Sequence, residues 1–467
     1  LSVSAANVTA NNVSGSYNFN LTTNASGWTG VGNIIDYYNN GAANGINRTY
    51  YSPYTIYARN STYAIGSHTY NVTLLQNNNL NDVFTLINPV NVTGCGVFDN
   101  ANTVYTQGAN IIPTGSINSC INITASNITY DCNGYWISNT SLNKYGIYAG
   151  NNLVNITVKN CNVTMKSGGI GGYGIGFRNV NNSLILNNTA NSNNYGIYLS
   201  QSLNNNLINN TANSNVNGIY LSSSSNNNLT NNNIWNCTTA SEGCIFFVVG
   251  NDNTVSGGLI NLSSSNLIYL QSNSNNNIFK DLTLLGATNN DTFLTSTSIN
   301  NTFLNVSYNN SVGKEYVASG SQLIRKWYYR AYVNDTSGAA VSNANVSAFN
   351  RTSALVFNLT TNASGWTGIE NIIDYVNTGA ANGINRSYYS NYTIYATNSS
   401  YATGSHSYNV SVSLNNLGDV FTLNEGTAPV VNTVTITPST TGLGQLINIT
   451  ANATDSSGVS SVWVGIT

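Results

Sequence analysis

Charged side chains are scarce in this 467-residue chain: they make up 6% of the residues, and the formal net charge is -2. An average soluble protein carries about 25% charged residues. The few Lys and Arg residues form no basic patch, which excludes the electrostatic footprint of a nucleic-acid-binding protein and a polybasic membrane anchor. A surface with so little charge needs another source of solubility, and attached glycans would supply it.

Patterns typical of catalysis and metal binding are also scarce. The chain has two histidines, His68 and His406, and no paired Cys-x-x-Cys knuckle of the zinc type. It contains neither a G-x-x-x-x-G-K-[ST] phosphate loop nor a G-x-S-x-G nucleophile elbow. We therefore expect no enzymatic activity, no cofactor and no transition metal. The one ion left open is calcium, which the turns at Asp335 and Asp455 would bind only with further oxygen ligands.

Asparagine, serine, threonine and glycine take the place of the charged residues. They create Asn-x-Ser/Thr sequons along the whole chain. Chance in an Asn- and Thr-rich sequence is the alternative explanation, but N-glycosylation accounts for the low charge as well. We predict glycans at exposed sequons, and the examples we select are Asn24, Asn60, Asn122, Asn362, Asn391 and Asn452.

The cysteines and the apolar residues indicate the compartment. All six cysteines lie between Cys95 and Cys244, and an even number in a sequon-rich chain favours disulfides in an oxidising environment. No run of about 20 apolar residues is present, so we predict no membrane span. The expected location is extracellular, at the cell surface.

A long repeat indicates two copies of one domain. Residues 20–30 recur unchanged at 358–368, and alternating segments separated by Asn/Gly turns are typical of antiparallel strands. The two copies, at 1–90 and 326–425, resemble the carboxypeptidase-regulatory-like β-sandwich, a relative of immunoglobulin domains. The resemblance implies two such sandwiches. A further segment, 426–467, resembles the first half of a bacterial or archaeal Ig-like sandwich.

The first copy differs from the second at its start. Alignment places Leu1 opposite Ala339, so the strand at 326–338 has no counterpart in the first copy. A missing strand leaves backbone donors and acceptors unpaired. Either a longer polypeptide completes the domain or a neighbouring copy donates the strand, a head-to-tail contact that propagates into a filament. We expect copies of this chain as partners through that contact.

A short repeat fills the middle of the chain. GIYL (196–199) returns at 218–221, and related segments follow at 244–247 and 267–270. Repeats of this length predict a solenoid, and β-branched triplets with Gly and Asn at the corners favour a β-solenoid. Alternation sends Ile197 and Leu199 inward and Tyr198 outward. Columns of stacked Asn side chains would be part of this architecture.

The opening of this region carries a second resemblance. GCGVFDNANTVY (94–105) and VNITVKNCNVT (154–164) resemble the NosD-type right-handed β-helices of archaeal surface proteins. The predicted fold is therefore all-β, with a right-handed parallel β-helix at 91–325 flanked by Ig-like β-sandwiches.

The coil pattern favours particular disulfide pairings. Six cysteines allow fifteen connectivities. Cys132 and Cys161 lie about one long coil apart, so stacking makes them neighbours along the axis. Cys237–Cys244 would close a short corner loop, and Cys95–Cys120 would fix the N-terminal cap.

Outward positions in successive coils carry aromatic residues. We predict an aromatic column formed by Tyr148, Tyr198, Tyr220, Phe246 and Tyr269. Two interpretations stay open: the column binds carbohydrate or another chain, or tyrosine is simply favoured on the exposed side of strands.

Right-handed β-helices also include polysaccharide-cleaving enzymes, which need clustered acids. The acids of the β-helix do not share a position in adjacent coils, and they are Asp99, Asp131, Glu242, Asp252, Asp281, Asp291 and Glu315. We therefore favour a structural glycoprotein that self-assembles into a cell-surface filament, sheath or S-layer-like lattice. The alternatives are a carbohydrate-binding adhesin and a β-helical polysaccharide lyase or hydrolase. Self-assembly distinguishes the first two, because an adhesin stays monomeric and retains glycans.

Overall fold

The computed structural model describes residues 2–41, 47–72, 81–114, 118–139, 145–165, 171–424, 430–437 and 448–454. These residues form 43 β-strands and one helix, Val410–Ser413. None of the helical segments in these ranges is long and apolar enough to cross a membrane. The prediction of an all-β fold built on a parallel β-solenoid is confirmed. The chain divides into two compact units, Leu1–Tyr220 and Leu221–Thr467.

The first unit begins with a four-stranded antiparallel sheet, in the copy that the sequence predicts to be the first sandwich. Alternation along its strands buries Ala10, Tyr54 and Ile56 on one side. A separate two-stranded hairpin pairs Tyr37–Asn39 with Arg48–Tyr50, and both of its strands are exposed. In spatial order the four strands of the sheet are Tyr17–Thr22, Asn7–Asn11, Tyr54–Asn60 and Tyr63–Tyr70.

The rest of the first unit is a parallel solenoid whose strands form three faces. Face 1 comprises Gly96–Phe98, Ser119–Ile123, Tyr145–Val154, Tyr173–Asn181, Tyr195–Ser200 and the start of Asn217–Ser222. Face 2 comprises Val90–Val92, Val104–Gln107, Thr129–Asp131, Thr157–Lys159, Leu184–Leu186 and Asn206–Ile208. Face 3 comprises Trp136–Asn139, Asn162–Met165, Thr189–Ala190 and Thr211–Asn213.

The second unit contains coils of the same construction, and its faces are numbered in the same way. Face 1 comprises Gly243–Val248, Asn266–Gln271, Thr292–Leu294 and Glu315–Val317. Face 2 comprises Asn228–Thr230, Thr254–Ser256, Ile278–Lys280, Asn301–Leu304 and Leu323–Asp335. Face 3 comprises Asn233–Cys237, Leu259–Ser263 and Thr283–Ala287.

Like residues stack on one another inside the solenoid. In the first unit Ile121, Ile147, Ile175 and Ile197 occupy the same register position in successive coils. All four are fully buried. Strands about 4.8 Å apart bring such side chains into contact, so a repeat in the sequence becomes a continuous core.

The strand Leu323–Asp335 belongs to both the solenoid and the second sandwich. It pairs in parallel with Asn301–Leu304 of the last coil and antiparallel with Glu370–Asn377. Asn416–Leu423 pairs in parallel with its second half. The boundary expected between solenoid and sandwich, at residue 325, lies inside this strand.

The second sandwich repeats the sheet of the first. Its core joins Tyr329 and Val333 of the long strand to Val346, Ile394 and Phe421. Arg386–Tyr388 pairs with Glu370–Asn377 as a hairpin. Beyond the sandwich, Val430–Thr437 and Asn448–Thr454 form an antiparallel pair. The four strands of the repeated sheet are, in spatial order, Leu355–Thr360, Asn345–Phe349, Tyr392–Asn398 and Tyr401–Tyr408.

Three disulfides join the cysteines in the pairs that the sequence favours. Cys95 is bonded to Cys120 and Cys132 to Cys161. Cys237 is bonded to Cys244. Disulfides persist in oxidising compartments, so they indicate an extracellular or periplasmic environment.

Candidate functional site

Tyrosines form a double row on the outer side of face 1 in the first unit. Tyr148, Tyr198 and Tyr220 lie at the outward positions and are half-buried. A second row runs beside them on the same face, and its rings contact the first row. We call the six residues of both rows the tyrosine column: Tyr145, Tyr148, Tyr173, Tyr195, Tyr198 and Tyr220.

The rings of the column are packed against each other. The ring centroids of Tyr145 and Tyr173 are 4.2 Å apart with an interplanar angle of 15°, and Tyr173 and Tyr195 are 5.0 Å apart at 22°. Tyr198 and Tyr220 are 5.3 Å apart and tilted by 45°. Because the rings stack along the axis, neighbouring rings cover part of each other, and all six side chains are half-buried.

Glycines make room for the column. Gly176 takes the register position of Tyr148 and Tyr198 in its coil, and a Cβ there would lie 2.4 Å from the ring of Tyr145. The added Cβ on Gly196 would lie 2.6 Å from the carbonyl oxygen of Gly218. Side chains at these positions would displace a ring or separate two coils.

Sequence reasoning missed the second row. Tyr145 and Tyr148 are three residues apart, and regular alternation puts such residues on opposite sides of a strand. In the structure both tyrosines are half-buried and the two residues between them, Gly146 and Ile147, are both buried, so the alternation is interrupted here. The recurring Tyr-Gly-Ile-Tyr at 145–148 and 195–198 is the signal that could have revealed it.

The tyrosine column is uncharged. Burial, reinforced by the neighbouring tyrosines, raises the pKa of Tyr145, and burial also raises the pKa of Tyr173. The hydroxyls of Tyr145 and Tyr173 therefore stay protonated at physiological pH, each able to donate and accept a hydrogen bond. The face 1 strands that carry the column contain no Asp or Glu, and their one charged residue is Arg178.

The second unit has an aromatic row of its own on face 1. The ring centroids of Phe246 and Tyr269 are 4.9 Å apart, and those of Phe293 and Tyr316 are 4.7 Å apart. Phe246 is only 4% exposed, which corrects the expectation that it contributes to an outer surface. Its ring stacks on Tyr269, and the first five positions of its strand are all buried.

The selected sequons differ in accessibility. The side chains of Asn24, Asn362, Asn391 and Asn452 are exposed. Asn60 is half-buried, and its Nδ2, the atom to which a glycan is attached, donates a hydrogen bond to the carbonyl of Ser4 at 3.2 Å.

Asn122 has a special position among the sequons. It is half-buried on face 1, in register with Tyr148 of the next coil. A glycan on Asn122 would therefore lie at the end of the tyrosine column.

A buried carboxylate lies where the last coil of the second unit meets the second sandwich. Glu315 is fully buried and accepts hydrogen bonds from Tyr308 (2.6 Å), Asn377 (2.7 Å) and Tyr375. Its Oε1 lies 2.9 Å from a guanidinium nitrogen of Arg386. Four partners satisfy the carboxylate, and a buried charge is tolerated when it is paired and hydrogen-bonded in this way.

A second ion pair lies at the same junction. Arg325, on the long strand, contacts Asp374 of the sandwich at 3.3 Å, and Asp374 is 1% exposed. Sequence reasoning missed both pairs, because Glu315 and Arg386 are 71 residues apart in the chain. No local spacing connects them.

A small cavity of about 240 Å³ lies beside the last coils of the second unit, next to Asp291 and Lys314. Burial raises the pKa of Asp291, although a hydrogen bond from the backbone N–H of Asn309 opposes the shift. Lys314 donates to the carbonyl oxygens of Ala287 and Thr288. The cavity is lined by one carboxyl group, whereas glycoside hydrolysis ordinarily uses two.

The remaining candidates for metal or acid–base chemistry are held in local contacts. His68 and Asp82 are 2.8 Å apart, and His406 and Asp419 are 2.9 Å apart, so each His has an acid partner that the sequence did not indicate. Hydrogen bonds from Ser337 lower the pKa of Asp335. Asp455 lies outside the described residues. Within the described ranges no group of three His, Cys, Asp or Glu residues is placed to hold a metal.

Comparisons with known proteins concern the solenoid. Residues 119–284 match the family described as right handed beta helix region. No curated protein matches the chain. A DFA-IIIase from Arthrobacter chlorophenolicus A6 in complex with GF2 is similar to the chain with a TM-score of 0.37 and 11% identity, over 50% of this chain and 75% of that one.

Two epimerases are also similar. One is a mutant of the periplasmic alginate epimerase AlgG (TM-score 0.33, 13% identity, 51% of this chain and 75% of that one). The other is the A-module of a mannuronan C-5 epimerase from Azotobacter vinelandii (TM-score 0.29, 12% identity, 51% of this chain and 82% of that one). These likenesses concern the fold.

The comparisons correct one expectation. The expectation that the chain is not an enzyme is corrected: the solved structures reported as similar to it are a DFA-IIIase and two epimerases. The solenoid of this chain is a right-handed β-helix, an architecture that such enzymes also have.

Proposed function

We propose that this chain is an extracellular β-helix protein that binds carbohydrate along the tyrosine column. The observation that carries the proposal is the column itself: six half-buried tyrosines in contact on one face. Sugars present apolar C–H groups and hydroxyls together, and tyrosine offers an apolar ring and a polar tip for such a ligand.

The charge of the residues around the tyrosine column indicates which class of carbohydrate it would bind. The strands that carry the column hold no carboxylate and a single cation, Arg178, and the hydroxyls of Tyr145 and Tyr173 stay protonated. The column therefore favours a neutral, polyhydroxylated chain over a multiply charged one. Because its rings repeat from coil to coil, an extended polysaccharide would contact several tyrosines at once.

The test is retention of the purified protein on immobilised neutral polysaccharides, compared with a variant carrying Tyr195→Ser and Tyr198→Ser. Loss of two contacting rings should weaken binding about fivefold or more, because two ring contacts, each as strong as an aromatic pair at about 0.5–1.5 kcal/mol, contribute about 1–3 kcal/mol. The matched control is Tyr395→Ser, which removes an exposed ring from the second sandwich. Equal retention of all three proteins would contradict the proposal, and analysis of the eluted sugar for shortened or altered chains would reveal turnover.

Self-assembly at the cell surface is the second candidate function, and the exposed hairpin of the first sandwich favours it. A filament, sheath or S-layer-like lattice would form from copies of the chain in contact end to end. Electron microscopy of the purified protein tests it: ordered polymers support assembly, and monodisperse particles at high concentration contradict it. N-linked glycans are part of the proposal, and mass spectrometry of native material would detect them at Asn24 and Asn362.

A further inference from the structure

The two sandwich copies contain the same hairpin. In the first, Tyr37 pairs with Tyr50 and Asn39 with Arg48; in the second, Tyr375 pairs with Tyr388 and Asn377 with Arg386. In both hairpins the arginine guanidinium lies 4.5 Å from the centroid of a tyrosine ring, Arg48 over Tyr37 and Arg386 over Tyr375. The two tyrosine rings of each hairpin are 5.5 Å and 5.4 Å apart, respectively.

The contacts of the second hairpin indicate the role of these paired tyrosine, asparagine and arginine residues. Its Tyr375, Asn377 and Arg386 all contact Glu315, at the end of the solenoid. The loop of the hairpin also bonds to the same strand of the last coil, where the N–H of Val317 donates to the carbonyl of Gly383. The hairpin is therefore the part of the sandwich that docks on a solenoid end.

The first hairpin is exposed at the equivalent positions. Tyr37 is 39% exposed, whereas Tyr375 is fully buried. Arg48 is exposed: it is hydrogen-bonded to Tyr50 of its own hairpin and interacts electrostatically with Asp36, but it forms no ion pair within 4 Å among the described residues. Arg386, in contrast, is bonded to a buried carboxylate. The same residues thus form a complete contact in one copy and an open surface in the other.

The neighbouring strands differ in the same way. Glu370–Asn377 and Asn416–Leu423 both pair with the long strand Leu323–Asp335. In the first copy, residues 32–36 align with 370–374 and residues 81–86 with 418–423; both segments are described, but neither is in a strand. Trp28 is 52% exposed, whereas its counterpart Trp366 packs on Tyr332 of the long strand at 4.8 Å.

We propose that the first hairpin docks on the end of a β-solenoid of the same type as the end formed by residues 307–338. The occupant carries a carboxylate at the position of Glu315, which complements the exposed Arg48. It is followed by a strand equivalent to Leu323–Asp335, which pairs with residues 32–36 and 81–86. This inference is independent of carbohydrate binding. Because Glu315 of this chain is already bonded to the second sandwich, the occupant is a further solenoid end of this type and not the end formed by residues 307–338.

The experiment fuses a second copy of residues 91–338 directly ahead of Leu1 of the full chain. Alignment places Leu1 opposite Ala339, so the fusion reproduces the native junction without a linker. Hydrogen exchange of the amides in Tyr37–Asn39 and Arg48–Tyr50 should slow at least tenfold relative to the unfused chain, because a docked solenoid end shields the hairpin.

Two controls make the result specific. Glu315→Gln in the added copy alone, and Arg48→Gln in the hairpin, should each restore most of the fast exchange. A second measurement guards against misfolding of the fusion: a synthetic peptide of residues 305–338, added to the unfused chain, should protect the same amides. The proposal is overturned if the hairpin amides exchange at an unchanged rate in both the fusion and the peptide mixture. It is also overturned if Arg48→Gln leaves the protection of these amides undiminished.

Discussion

Asparagine has two different roles in the solenoid of this protein. At exposed corners it adopts a left-handed backbone, as in Asn276 with a φ of 57°, a conformation that Asn tolerates better than most residues. Inside the coil stack, Asn277 accepts two hydrogen bonds from Asn253 and donates to Asn301 and the carbonyl of Gly250. All its amide atoms are satisfied in a buried site, so each coil is fixed to the next.

We predict that Asn277→Ala destabilises the protein by about 3 kcal/mol or more. The substitution leaves the N–H and amide of Asn253 and the carbonyl of Gly250 without their partner, and each buried orphan costs about 1–3 kcal/mol. The measurement is the free energy of chemical unfolding. The control is Asn276→Gly, an exposed neighbour whose positive φ suits glycine, with an expected loss below about 1 kcal/mol. Equal losses in the two variants would contradict the ladder.

The asparagines at this corner illustrate what the sequence predicts about the solenoid and what it does not. The repeat indicates columns of asparagine, but Asn275, Asn276 and Asn277 are chemically identical, and only Asn277 is buried. Burial depends on where the corner falls, which no property of the three residues reveals. For the same reason Tyr148 could be assigned to the surface while Tyr145, where the alternation is interrupted, was missed.

At the scale of elements, the long strand Leu323–Asp335 joins the solenoid to the second sandwich. Its positions alternate between buried and half-buried along nearly its whole length. The first residues extend face 2 of the last coil, and the later ones form the sandwich core. The sequence places a boundary at residue 325, but an unbroken alternation gives no local signal for a change of domain.

The disulfides give a prediction at this scale. Cys132 and Cys161 are 29 residues apart, whereas Cys237 and Cys244 are 7 apart. Loop-closure entropy makes the first bond worth about 3.6 kcal/mol and the second about 2.4 kcal/mol. Replacing each pair by alanine in separate variants should therefore destabilise the solenoid more for the longer loop. All four cysteines are buried, so each variant is the control for the other. A lower unfolding midpoint for the variant without Cys237–Cys244 than for the variant without Cys132–Cys161 would refute this ranking.

Across the whole molecule, the repeats predict the fold better than they predict the function. Gly, Asn and the β-branched triplets specify a β-solenoid because every coil must satisfy the same register. The resemblance to NosD-type helices and Ig-like domains stays a prediction. The site depends on contacts between distant residues, such as Glu315 with Arg386, and a periodic pattern carries no information about them.

The exclusion of catalysis failed for a related reason. It rested on the absence of familiar motifs and on the spacing of acids along the sequence. β-Helix proteins place side chains from separate coils on one surface, so the linear spacing does not decide what they can do. The proposed binding surface rests instead on contacts between rings that are seen directly on face 1.

The most direct measurement is an experimental structure of the protein with a bound neutral oligosaccharide that it retains. The account predicts sugar density along face 1 of the first unit, with rings or hydroxyls of Tyr173, Tyr195 and Tyr198 within contact distance. Sugar bound only elsewhere, for instance in the cavity beside Asp291 and Lys314, would contradict the assignment of the tyrosine column as the carbohydrate site.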